Sequence, residues 1–85
     1  MSVEENLKNL NIELPKANDP VGSYVATKIS GKHLFVSGQI SIDKDGNLIK
    51  GKLGRDLKTE DGYEAAKRCA LSIISQVKKS CDGDL

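Results

Sequence analysis

The stretch "HLFVSGQISID", His33 to Asp43, holds the residues with most to say about chemistry. Leu34, Phe35 and Val36 read as a strand. Ser37, Gly38 and Gln39 then interrupt it with small and polar groups before Ile40 and Ile42 resume. A glycine weakens a strand by roughly 0.5–1 kcal/mol relative to alanine, so its place here asks for a compensating role. Tyr24 lies on the segment expected to pair with this one, which makes its phenol a second candidate. His33 is the chain's single imidazole and the natural first choice for a general base. It stands at a strand entrance beside Lys32, where a solvated turn residue is the plainer reading. No serine–histidine–aspartate arrangement accompanies it.

Other combinations carry less. "SIDKDGN" resembles part of a calcium loop. Setting Gly46 on that loop's glycine puts Lys52 where a bidentate glutamate should stand, so a hairpin turn is the better reading. "GKLG", Gly51 to Gly54, matches the GXXG loop that clamps a nucleic-acid backbone, with Lys52 and Arg55 adding charge. That loop normally joins two helices, and here a strand pattern precedes it, so it reads as a glycine-bounded turn. It is not a phosphate-binding loop, since no G-K-[ST] ends it. Cys69, Cys81 and His33 could in principle supply three metal ligands, but their spacing matches no metal motif, and no metal or cofactor is expected. At about 1.5 Å rise per residue the two cysteines would stand about 18 Å apart along one helix, too far for a disulfide. They read as reduced thiols, Cys69 in the core and Cys81 at a fraying end.

The elements that must position these residues follow from periodicity. Ser2 caps a short helix with Val3, Leu7 and Leu10 at helical spacing, and Glu4 and Glu5 in its first turn. Pro15 and Pro20 bracket an extended linker. "SYVATKIS" and His33–Ile42 read as strands joined through Gly31-Lys32 into an antiparallel hairpin. Asp45-Gly46 centres a second turn, and "LIKGKL" is a third short strand or bulged segment. From Thr59, a plausible N-cap, to Lys79 the period becomes helical. Ala65, Ala66, Cys69, Ala70, Ile73, Ile74 and Val77 mark an apolar stripe, expected to pack on the hairpin through Ala66, Cys69, Ala70, Ile73 and Val77. On the second strand, Leu34, Val36, Gly38, Ile40 and Ile42 should meet the helix. Phe35, Ser37, Gln39 and Ser41 should face a wet cleft or another subunit.

The 85 residues carry 13 Lys and Arg against 12 Asp and Glu, a net charge of +1. That balance argues against a dedicated nucleic-acid binder. The N-terminus lacks the basic and apolar regions of a signal peptide, and no apolar run approaches the roughly 20 residues of a membrane span. With reduced thiols this places the chain in the cytoplasm.

"VGSYV" (Val21 to Val25), "LFVSGQI" (Leu34 to Ile40) and the helix start "EDGYEAA" (Glu60 to Ala66) together resemble the Rid, or YjgF-type, chorismate-mutase-like family, whose members are often labelled endoribonuclease L-PSP. The resemblance runs from Leu14 to the end. It implies an α+β fold: the N-terminal half of a chorismate-mutase-like (ferredoxin-like) β-β-(β)-α domain, with an antiparallel hairpin packed on one long helix. Residues 1–20 would be a short helix and linker, and 21–85 a partial domain truncated on its C-terminal side. The best-known branch is a homotrimer that hydrolyses reactive enamines and imines without a cofactor, at clefts between subunits. An arginine there binds the substrate carboxylate, and a glutamate or water handles the proton. Both lie in the family's second half, so the resemblance implies no catalytic residue here and carries over only Tyr24, Ser37 and Gly38 as substrate-binding. Gly38 would let a ligand carboxylate approach the backbone, or it could mark a bulge where another backbone packs. That branch reads G-P-Y-S-Q where this chain has Gly22-Ser23-Tyr24-Val25-Ala26. A non-catalytic module binding a small carboxylate metabolite therefore stands beside the deaminase, with an RNA-binding or endoribonuclease activity as a weaker third.

Overall fold

The computed structural model describes residues 2–17, 19, 22 and 24–85. The order is α1 (Val3–Asn9), β1 (Thr27–Ser30), β2 (His33–Val36) and α2 (Thr59–Ser80). Ser2 caps α1 as its sequence requires, its hydroxyl accepting from the Glu5 N–H at 3.1 Å. Part of the expected linker, including Pro20, lies outside the described residues.

β1 and β2 form an antiparallel hairpin with Thr27 opposite Val36 and Ile29 opposite Leu34. The hairpin is shorter than the hydrophobic pattern suggests: regular pairing stops at Val36, not at Ile42. Ser37 extends the ladder by one bond, its N–H donating to the Ala26 carbonyl at 2.9 Å. Beyond it Gly38 begins an irregular path, and among the described residues the later pairings are single bridges, Ile42 with Leu48 and Leu53 with Leu57. "LIKGKL" thus contributes bridges in place of a third strand. The turn around Asp45-Gly46 forms as expected. The Asp43 carboxylate accepts from the Asp45 and Asn47 N–H groups, each at 2.9 Å, the local bonding that suits aspartate to turns.

Helix α2 keeps its expected span with two changes. Thr59 is its first residue, and Lys58 occupies the cap, where the Asp61 carboxylate accepts the Lys58 N–H at 2.8 Å. The other change is the buried face. Leu71, Ser72, Ser75 and Gln76 are buried, whereas Ile73 is 42 % exposed and Ala66 and Ala70 are exposed. The expectation that Ala66, Ala70 and Ile73 pack on the hairpin is therefore wrong. The physical reason lies in what approaches the helix. The segment around Pro15 crosses it by main-chain bonding, the Pro15 carbonyl accepting from the Ser75 hydroxyl at 2.7 Å. The Ile42 carbonyl accepts from Arg68 Nε at 2.8 Å, and the Thr27 and Ser80 hydroxyls meet at 2.7 Å. Small and polar side chains let those carbonyls and hydroxyls come close, so the face that bonds is the face that is covered.

One glycine inside α2 has a packing cause. A Cβ on Gly62 would sit 3.1 Å from Leu53 Cδ2, so its absence lets the "GKLG" turn lie against the start of the helix. That turn follows an irregular segment and leads directly into α2, unlike the helix-joining nucleic-acid loop it matches in sequence.

Candidate functional site

The hairpin presents two faces of different character. Leu34 and Val36 are half-buried on the side toward α2, as expected. Phe35 is 62 % exposed on the other side, its ring centroid 6.4 Å from that of His33. His33 is an exposed turn-flanking residue, in keeping with its solvated reading.

Ser37 sits where the ladder ends. Its N–H and its hydroxyl both donate to the Ala26 carbonyl, at 2.9 and 3.1 Å. The hydroxyl proton is thus committed, while the oxygen keeps lone pairs for an incoming donor. No described histidine or carboxylate bonds to it, so the geometry is that of an orienting group and not of an activated nucleophile. Gln39 folds back, its Nε2 donating to the Ser37 carbonyl at 3.3 Å, and is half-buried.

Gly38 is exposed, and among the described residues a Cβ built on it would meet no other atom within 4 Å. Its φ lies outside the left-handed region, so backbone conformation does not demand glycine either. Among the described residues, then, no backbone packs on Gly38. Tyr24 is 46 % exposed. Its ring carbons would stand 3.1–3.3 Å from a Cβ on Gly22, so that glycine gives the ring its place. Ala26 is bonded to Ser37 at the end of the ladder, and Tyr24 and Gly38 follow that pair in sequence, outside the paired strands.

The thiols are free, Cys69 half-buried and Cys81 exposed. Among the described residues no group of three His, Cys, Asp or Glu could hold a metal ion, and no helix is long and apolar enough to cross a membrane. Two acids depart from their ordinary values. The Leu85 N–H, donating to Glu4 at 2.7 Å, holds that carboxyl below the usual range. Arg55, at 3.1 Å, and then the Lys52 N–H do the same for Asp56.

The sequence did not single out Arg68 or Ser72. Both line a large open cleft of about 1140 Å³ between the N-terminal arm, the turn after Ile42 and α2. Only a polar stripe beside the apolar one hinted at them, and a solvated helix face would have looked the same.

Comparison with known proteins gives a consistent answer. The family described as "YjgF/chorismate-mutase-like, putative endoribonuclease" matches residues 4–85. Protein TCP17 of Trypanosoma cruzi is 41 % identical over 83 residues, 98 % of this chain and 51 % of that protein. The crystal structure of "a putative endoribonuclease" from Shewanella oneidensis MR-1 superposes with a TM-score of 0.90 at 34 % identity, over 100 % of this chain and 56 % of that one. Atu1372 of Agrobacterium tumefaciens, described as of unknown function, does so with a TM-score of 0.80 at 38 % identity, over 99 % and 50 %. The chain spans about half the length of each of these three proteins.

Proposed function

Because the chain belongs to the YjgF/chorismate-mutase-like family, we propose that it supplies one wall of a subunit-interface cleft in which a reactive enamine or imine carrying a carboxylate is hydrolysed. Tyr24, Ser37 and Gly38 form that wall. Gly38 gives a ligand carboxylate access to the main chain. Ser37 offers its hydroxyl oxygen to a donor on the ligand, and Tyr24 flanks them. In the reaction, water adds to the carbon of the C=N bond, ammonia leaves, and a carbonyl product remains. The groups that bind the carboxylate and move the proton belong to the second half of the family's domain, and a homotrimer brings the clefts together. Residues 21–85 are on this reading a partial domain, preceded by a short helix and linker over 1–20.

The observation that carries the reading is Gly38. Among the described residues neither its φ nor a neighbouring atom accounts for the missing side chain, which supports a role for Gly38 in contact with something outside them. The test uses a form of the protein as long as its relatives, with freshly generated 2-aminoacrylate as substrate. Faster loss of the enamine than in buffer, reduced in Ser37→Ala and Gly38→Val, is expected. Binding of a small carboxylate without turnover would identify a non-catalytic metabolite-binding module, and cleavage of RNA with no effect on the enamine would identify a nuclease.

A further inference from the structure

The open cleft between the N-terminal arm, the turn after Ile42 and α2 is not lined by Tyr24, Ser37 or Gly38, and its charge is unbalanced. Six cations line it: Lys8, Lys16, Lys44, Lys67, Arg68 and Lys78. Three carboxylates oppose them, Glu4, Glu13 and Asp43. Two of those three are already engaged, Glu4 by the Leu85 N–H and Asp43 by the Asp45 and Asn47 N–H groups. Among the described residues the only ion pair is Arg55 with Asp56; of the six cations Lys78 lies near enough to Glu4 to help hold its carboxyl ionised, and none of the others forms an ion pair. A net surplus of cations in a concave site concentrates anions.

Two groups give the cleft a fixed centre. Arg68 is half-buried, and its Nε donates to the Ile42 carbonyl at 2.8 Å. That bond holds the guanidinium plane and leaves both terminal nitrogens without a described partner, ready for a bidentate contact with an oxyanion. Ser72 follows one helical turn later. It is 5 % exposed, lines the same cleft, and makes no side-chain hydrogen bond to another described residue. Although the residue is buried, its hydroxyl oxygen is not a sealed, unpartnered atom, so it is an open donor and acceptor where it meets the cleft. Leu7, Ile12 and Leu71 add apolar surface beside these groups.

From this arrangement we infer a second binding site, built on Arg68 and Ser72, for a small multiply charged oxyanion: a phosphorylated or polycarboxylate metabolite. The fixed guanidinium takes two oxyanion oxygens, Ser72 donates to a third, and the rim lysines neutralise the remaining charge. A small ligand fits better than a polymer, because the fixed groups sit at one point of a cleft and not along a track.

Titration of the 85-residue chain with inorganic pyrophosphate, and separately with citrate, followed by amide chemical shifts, tests the site. Saturable binding with shifts centred on Arg68, Ser72 and Asp43 is expected. Arg68→Gln should weaken it about tenfold, as loss of a charge-assisted pair does. Lys67→Gln, on the exposed rim, should weaken it less while leaving the thermal midpoint in place, so an effect of Arg68→Gln on folding would not decide the matter. Lys28→Gln, on the hairpin, should change nothing. No saturable binding of either anion, equal binding by all variants, or binding of single-stranded RNA alone would overturn the inference.

Discussion

The Ser75 hydroxyl donates to the Pro15 carbonyl at 2.7 Å across sixty residues of chain, and it also reaches the Leu71 carbonyl at 3.0 Å. This bond pins the N-terminal arm to α2 and makes a polar stripe the covered face of the helix. Ser75→Ala should leave Pro15 without its donor and cost about 1–2 kcal/mol. Urea denaturation followed by far-ultraviolet circular dichroism checks the value. A cost near zero would show that the arm does not depend on this bond.

The rotated face predicts unequal penalties for two neighbouring residues. Leu71 is 6 % exposed and Ile73 42 %. Leu71→Ala should cost ~2–5 kcal/mol and Ile73→Ala less than about 1. Equilibrium denaturation of the two variants gives the comparison. The reverse order would restore the apolar stripe as the packed face.

Acid should release the contact between the two ends of the chain. The Glu4 carboxyl has a folded-state pKa below its ordinary value, chiefly because it accepts the Leu85 N–H. A depressed pKa means that the carboxylate form favours folding. The contribution is complete above the unfolded pKa and is lost as pH falls through the folded one. The melting midpoint of Glu4→Gln should therefore lie below that of the parent chain at pH 7. The gap should close as the pH falls through the carboxylate range, as thermal melts at a series of pH values would record.

Residues 1–85 should not accelerate the hydrolysis of freshly generated 2-aminoacrylate, since the proposed function assigns carboxylate binding and proton transfer to groups in the other half of the family's domain. Turnover well above the buffer rate, abolished by Ser37→Ala or Tyr24→Phe, would contradict the proposed division of the site.

Much of this fold was readable from residue types. Ser2 followed by two glutamates gave the α1 cap, and the Gly31 and Asp45-Gly46 turns formed where their sequences placed them. The span of α2 followed from its period and from acids at its start and lysines at its end. Its orientation did not. Hydrophobicity favours Ile73 and the alanines, but burial follows the carbonyls of Pro15 and Ile42, which come from distant segments and have no signature in the helix. The end of β2 was half-legible. Gly38 announced an interruption, yet only the structure shows that the ladder stops at the Ala26–Ser37 pair and that Gly38 has open space beside it. Arg68 was invisible as a candidate because its anchor, the Ile42 carbonyl, is a main-chain atom.

The proposed function rests on Gly38 serving something outside the chain's own packing, and its substitution tests that most directly. Gly38→Ala should leave the stability of residues 1–85 unchanged or raise it by a few tenths of a kcal/mol, because an added Cβ meets no atom of the described residues and restricts the unfolded chain. Gly38→Val in a form as long as the relatives should fold normally and lose enamine turnover. Denaturation of the first variant, run beside the turnover assay of the second, is the measurement. Unchanged stability with lost activity is the predicted result. A destabilisation of more than about 1 kcal/mol by Gly38→Ala, or full activity in Gly38→Val, would contradict the account.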